Sequence, residues 1–172
     1  MNWLEIKNLE VWIGNQVLYK NLNLTLRLGE NTVLIGPNGS GKSTIINLIN
    51  RTIYPVIKKG SYFKLFGDKD INIWNMRSNI GFVNKDIESR MDNNARALNI
   101  VLSGYYGKLY IDEKEINISK EKKDQALNLM KDLKIDNIYM QKYKNLSDGQ
   151  KRKLMIARAL VHKPKILVLD EP

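Results

Sequence analysis

Cysteine is missing from all 172 residues of this chain. Its absence excludes a disulfide framework and any thiolate metal site. Long apolar runs are missing as well. A membrane-crossing helix needs roughly 20 consecutive apolar residues, whereas runs such as Ile166–Leu169 have only the length of a strand. The opening stretch MNWLEIKNLEVW has no basic segment followed by an apolar one, so no signal peptide is expected. Internal repeats and low-complexity linkers are also lacking. These absences point to a cytosolic protein.

What is present is ordinary for a soluble globular chain: 43% hydrophobic and 27% charged residues, enough for one domain with a core. The net charge of +10 allows nucleic acid, an anionic membrane surface or an anionic ligand as partner. The lysines are scattered rather than gathered in a block and no nucleic-acid motif stands among them, which favours a solvated surface.

EIKNLEVWI and LNLTLRL alternate apolar and polar residues, the period of half-buried antiparallel strands, with turns at IGNQ and RLGEN. TVLIG is a continuous apolar run and predicts a strand buried on both faces. KSTIINLINRTI predicts a helix with Ile45, Leu48 and Ile49 on one side. SYFKLFG and NIGFVN predict further strands. NNARALNIVLSG holds a helix ending at Gly104. SKEKKDQALNLMKDLKI is the clearest helix, with Ala126, Met130 and Leu133 as its apolar stripe. SDGQKRKLMIARALVHKP predicts a helix capped by Ser147 or Asp148 and ending at Lys163, before Pro164. KILVLDEP returns to a buried strand. The order predicts an α/β protein with a small N-terminal antiparallel β-subdomain and an inserted α-helical subdomain.

GPNGSGKST, Gly36–Thr44, matches the P-loop pattern G-x-x-x-x-G-K-[ST] between a predicted strand and a predicted helix. Gly36, Gly39 and Gly41 let the backbone turn tightly and approach phosphate oxygens. Pro37, Asn38 and Ser40 complete the loop, whose N–H groups form an anion nest at a helix N-terminus. Lys42 supplies a charge for the β- and γ-phosphates, Ser43 a hydroxyl for Mg²⁺, and Thr44 a donor toward the α-phosphate. The competing reading is a glycine-rich turn that binds nothing. The loop alone says "nucleoside triphosphate" and no more.

In ILVLDEP the apolar run carries Asp170 to the carboxyl end of a strand, where ligands bind in such sheets. Asp170 can hold Mg²⁺, and Glu171 can polarise an attacking water as general base. Taken alone, the same acids could simply cap a strand in solvent.

NLSDGQKRKLMIARAL resembles the signature of ABC-type ATPases, usually written LSGGQ. Leu146, Ser147, Gly149 and Gln150 match, and Asp148 stands where the second glycine is common. P-loop, signature and LVLDEP occur in the family's order. The resemblance implies a P-loop NTPase core divided as residues 1–85 (β-subdomain and P-loop core), 86–150 (helical subdomain) and 151–172 (return to the core). It implies ATP and Mg²⁺ as ligands and a head-to-tail pair with a second ABC ATPase domain, in which Ser147, Gly149 and Gln150 serve the partner's ATP. In transporters of this family the helical subdomain receives a membrane permease subunit. The implied role is ATP hydrolysis as the energy-coupling subunit of a transporter at the cytoplasmic face of the membrane. The alternatives are a soluble non-transport ATPase acting on nucleic acid or the ribosome, or a nucleotide-binding fragment that does not hydrolyse.

Two positions depart from the family's pattern. IGFVNK places Lys85 where a Q-loop glutamine is usual, and a protonated lysine cannot ligate Mg²⁺. Ile13 stands where an aromatic residue normally stacks on adenine, with Trp12 beside it. Strand alternation sends Trp12 to the other face, as a packed aromatic, unless the turn shifts and lets it stack. The stretch from GFVNKD to VLSGYYGKLYI is similar to stand-alone, molybdenum-associated ModF-like ATPases. The family also continues past DEP to a switch histidine. His162 precedes Asp170 and cannot be that residue, so the sequence is expected to be part of a longer ATPase and to hydrolyse ATP weakly or not at all by itself.

Overall fold

The computed structural model of the chain describes residues 1–111 and 117–170. It divides into two compact units, Met1–Met76 and Arg77–Pro172. The fold is α/β with an antiparallel sheet at its N-terminus, as the alternating segments predict.

In the first unit, strands β1 (Asn2–Ile13) and β2 (Gln16–Arg27) form a hairpin whose turn is opened by Gly14 at φ +57°. Strand β3 (Tyr62–Leu65) pairs with the other side of β1, giving the order β2–β1–β3. The alternation slips on each long strand. On β1 the buried set is Trp3, Leu4 and Ile6, then Leu9 and Val11. On β2 the covered set is Val17 and Tyr19, then Leu22, Leu24 and Leu26. The pairing register shifts between Ile6 and Leu9 and again between Leu9 and Val11. A one-residue slip would throw half of each apolar set onto the wrong face. An extra residue at each bulge keeps both halves facing the core. Asn8 takes φ +47° in one of them and donates its N–H to the Asn23 side chain.

Helix α1 (Lys42–Ile49) follows, and Ile45, Leu48 and Ile49 are buried together as predicted. It stops short of the predicted KSTIINLINRTI run because Arg51 takes φ +60°, outside helical space. The TVLIG segment corrects the sequence reading. Residues 31–37 form no strand, and Val33 and Ile35 are 78% and 91% exposed. A strand needs neighbours for its N–H and C=O groups. The sheet of this unit comprises β2, β1 and β3, and residues 31–37 join no ladder among the described residues. Trp12 is a second correction. It is not packed but exposed, and its indole N–H is donated to the Glu10 carboxylate at 2.6 Å. Lys58 pairs with the same carboxylate, and these two contacts hold the Glu10 pKa below its ordinary value.

Helix α2 (Ile73–Asn79) runs across the division of the chain. The second unit then holds strand β4 (Ile80–Val83) and helices α3 (Lys85–Ser89), α4 (Ala97–Ser103), α5 (Lys120–Asp132) and α6 (Asp148–Leu160), followed by strand β5 (Ile166–Leu169). β4 and β5 are parallel, with Ile80 opposite Ile166 and Val83 opposite Leu169. The core is built from Ile100 and Leu102 of α4, Ala126 and Met130 of α5, and Leu154 and Ala157 of α6. Leu133 packs against this cluster, completing the predicted stripe. Helix α4 gives way at Gly104, as expected.

Two predictions about the C-terminal segment need correction. Helix α6 ends at Leu160 rather than Lys163, because Lys163 takes φ +53°. Strand β5 forms, but it is not buried on both faces: Leu167 and Leu169 are exposed while Ile166 and Val168 are half-covered. β4, by contrast, is buried throughout, and β5 has β4 as its one ladder neighbour among the described residues. No helix among the described residues is long and apolar enough to cross a membrane.

Candidate functional site

The P-loop is compact. Ser40 N–H bonds back to the Pro37 carbonyl at 3.2 Å, and a Cβ on Gly36 would stand 2.8 Å from the Ser40 hydroxyl. Gly39 and Gly41 take φ +81° and +92°, values that glycine adopts without steric cost. Gly41 caps α1, and its carbonyl receives the Ile45 N–H at 3.1 Å. Lys42, the first helical residue, turns its ammonium back over the loop and donates to the carbonyls of Gly36 at 2.7 Å and Pro37 at 2.8 Å. Ser43 is exposed, while Thr44 is buried.

This donor set fits a phosphate chain: a glycine-lined loop, free helix N–H groups and one cation. The exposed Ser43 hydroxyl is of the type that holds Mg²⁺ beside phosphates. One contact was not anticipated from the sequence. Tyr19 of β2 donates its phenol O–H to the Ser40 carbonyl at 3.1 Å.

In the second unit Asp170 follows the carboxyl end of β5 and donates its backbone N–H to the Val83 carbonyl at 2.9 Å. This is the strand end expected for it. Lys85 opens helix α3 at the matching end of β4. Asn84, buried, caps that helix by accepting the Ile87 N–H on its side chain at 2.9 Å. Glu171 lies outside the described residues.

Ser147 is the N-cap of α6, and its hydroxyl accepts the Gln150 N–H at 3.3 Å. Gln150 returns its side-chain oxygen to the Ser147 N–H at 2.9 Å, completing a capping box. The pattern S-x-x-Q was there to be read as a cap. Gly149 has nothing within 4 Å of a would-be Cβ, so no local contact requires glycine there. Asp148 is fully exposed, with Lys151 3.7 Å away. An exposed pair of this kind contributes little to stability. Arg152 meets the Glu88 carboxylate of α3 at 3.8 Å. The nearby Tyr143 phenol is pushed up to about 12, first by burial and then by the Glu88 and Asp148 charges.

A family model described as ABC transporter matches residues 19–172. The zinc uptake system ATP-binding protein ZurA of Listeria innocua is 36% identical, over 98% of this chain and 63% of its own length. The structure of cbiO1 from Clostridium perfringens, part of the ABC transporter complex cbiONQ, superposes with a TM-score of 0.76 at 27% identity. It covers 99% of this chain and 66% of that one. A dimeric bacterial ABC transporter cassette gives a TM-score of 0.76 at 27% identity, covering 98% of this chain and 74% of that one. The chain spans a little under two thirds of the length of the first curated relatives it matches.

Proposed function

Because this chain belongs to the ABC transporter family of ATP-binding proteins, we propose that it binds Mg·ATP through Gly36–Thr44 and that the protein couples ATP hydrolysis to transport. The observation that carries this reading is the loop itself. Three glycines, two of them at positive φ, wrap the backbone around Lys42 at the start of α1. Lys42 exchanges its two carbonyl partners for phosphate oxygens, which bind an ammonium more strongly because they are charged. Gly36, Pro37, Asn38, Gly39, Ser40 and Gly41 supply the backbone of the cradle, and Thr44 lies at its helical end. Ser43 and Asp170 are the residues assigned to Mg²⁺. When bound, that ion neutralises charge developing on the phosphates. Glu171 is assigned to orient the attacking water and accept its proton.

The same reading gives Ser147, Gly149 and Gln150 to the ATP of a second ABC ATPase domain paired head to tail. It is supported by the dimeric cassette that this chain resembles. The Ser147 hydroxyl and the N–H groups of the first turn of α6 suit a γ-phosphate. A membrane permease subunit is the proposed partner of the helical segment, residues 86–150, which would place the protein at the cytoplasmic face of a membrane. The division into residues 1–85, 86–150 and 151–172 belongs to this proposal.

The test is phosphate release by the intact protein and by its Glu171→Gln variant, at several protein concentrations. The expected result is turnover lost in Glu171→Gln, and a wild-type rate that rises faster than protein concentration unless the dimer is already stable. An unchanged rate in Glu171→Gln would remove Glu171 from the chemistry.

A further inference from the structure

We infer that Tyr19 is a positioning residue of the phosphate loop: its hydroxyl fixes the Ser40–Gly41 peptide plane, and so fixes where the Gly41 N–H points. The inference rests on the phosphate-binding reading of residues 36–44. It concerns a side chain outside that motif, on strand β2 and 21 positions before Ser40.

Three observations support it. First, the Tyr19 Oη donates to the Ser40 carbonyl at 3.1 Å. That carbonyl and the Gly41 N–H belong to one planar trans peptide, where they point in opposite directions. Holding the carbonyl on the tyrosine therefore turns the N–H away from it. Second, the tyrosine tip lies directly against Gly41. A Cβ on Gly41 would stand 2.2 Å from the Tyr19 Oη and 2.7 Å from its ring carbon Cζ. Gly41 also sits at φ +92° as the N-cap of α1. The backbone angle is what selects glycine, and the tyrosine tip fills the room that a side chain would take.

Third, the β2 bulge places the tyrosine there. Tyr19 pairs with Val11, while Leu22 pairs with Leu9. Three residues of β2 are thereby set against two of β1, and Tyr19 faces inward together with Leu22, Leu24 and Leu26. Without the extra residue, strand alternation would carry Tyr19 to the opposite face from those leucines. Burial pushes the Tyr19 phenol above its ordinary pKa, so it stays a donor throughout the neutral range.

The loop is then held from two sides. Lys42 gathers the carbonyls of Gly36 and Pro37, and Tyr19 takes that of Ser40. Binding phosphate draws Lys42 away from its carbonyls. The tyrosine contact does not compete with the ligand, because it lies on the carbonyl side of the peptide. A cradle fixed before binding loses less freedom on binding.

The test compares the intact wild-type protein with Tyr19→Phe, which removes only the hydroxyl. Affinities for Mg·ATP and for Mg·tripolyphosphate are measured by calorimetric titration, with thermal melts run in the absence of ligand. The expected result is about three- to tenfold weaker binding of both ligands, by the same factor, as for the loss of one net hydrogen bond. Unchanged affinities would overturn the inference. So would a fall for ATP alone, which would put Tyr19 against the nucleoside. A lower melting temperature with undiminished tripolyphosphate affinity would show a folding role only and would also overturn it. If wild-type protein binds neither ligand, the phosphate-loop reading fails and the inference falls with it.

Discussion

The α-carbon of Gly104 lies directly against the carbonyl of Arg158: a Cβ at position 104 would stand 2.1 Å from that oxygen and 2.7 Å from a Val161 methyl. Helices α4 and α6 approach this closely because the residue that caps α4 has no side chain. The Arg158 side chain crosses the same junction, donating Nε to Ser103 Oγ at 3.3 Å and Nη2 to the Lys108 carbonyl at 2.6 Å. Burial lowers its pKa to about 10, so it still carries its charge at neutral pH. Gly104→Ala must push the helices apart. It is expected to lower unfolding stability by about 1–3 kcal/mol, the usual cost of overpacking a core. Denaturant melts of the two proteins check this.

Lys42→Ala addresses the phosphate loop. Charge-assisted hydrogen bonds are worth about 1.5–3 kcal/mol, so the variant should bind Mg·ATP at least about tenfold more weakly. Calorimetric titration of the two proteins gives the ratio, and equal affinities would remove Lys42 from the site.

Gly149→Ala separates stability from function. Position 149 is in the first turn of α6, with open space around it. Replacing glycine by alanine inside a helix stabilises it by roughly 0.5–1 kcal/mol. If the first turn of α6 meets a partner's nucleotide, the added methyl intrudes there. The expected outcome is a more stable protein with slower phosphate release. A variant that is both more stable and fully active would show that nothing approaches Gly149.

His162 gives a pH signature. Both ring nitrogens are buried without a hydrogen-bond partner of standard geometry among the described residues. Burial, and secondarily the Arg158 charge, hold its pKa below the ordinary 6.5, and backbone groups at Arg77 and Ile80 offset part of this. The unfolded chain then binds the proton more readily than the folded one. The stability due to neutral His162 is therefore full above pH 6.5 and is lost as pH falls through the folded-state pKa. His162 is the only histidine, and carboxylates titrate lower, near about pH 4. Unfolding free energies measured between pH 7 and about pH 5 should fall in the wild type, and the decline should flatten in His162→Gln.

Much of this protein was legible in its sequence because its signals are local. The glycines and lysine of Gly36–Thr44, the period of Ala126, Met130 and Leu133, and the alternation of β1 and β2 each act over a few residues. A short-range rule suffices to read them. Helices α2 and α3 escaped because each is too short to show a helical period. The TVLIG run misled because an apolar run reports only that burial would be favourable. Whether a strand forms depends on a neighbour that the run itself does not encode. The Leu167 and Leu169 side chains stayed exposed for the same kind of reason, since β5 has β4 alone as its described neighbour.

The sequence by itself determined the glycines and lysine of the loop, a helix start at Ser147–Asp148 and the family, because these depend on residue type at fixed spacing. Tertiary structure alone decided that Tyr19 reaches Ser40, that Gly104 touches Arg158 and that Trp12 stays on the surface. The first two of these join residues many positions apart. They follow from a strand bulge and from helix packing, which no short stretch of sequence specifies.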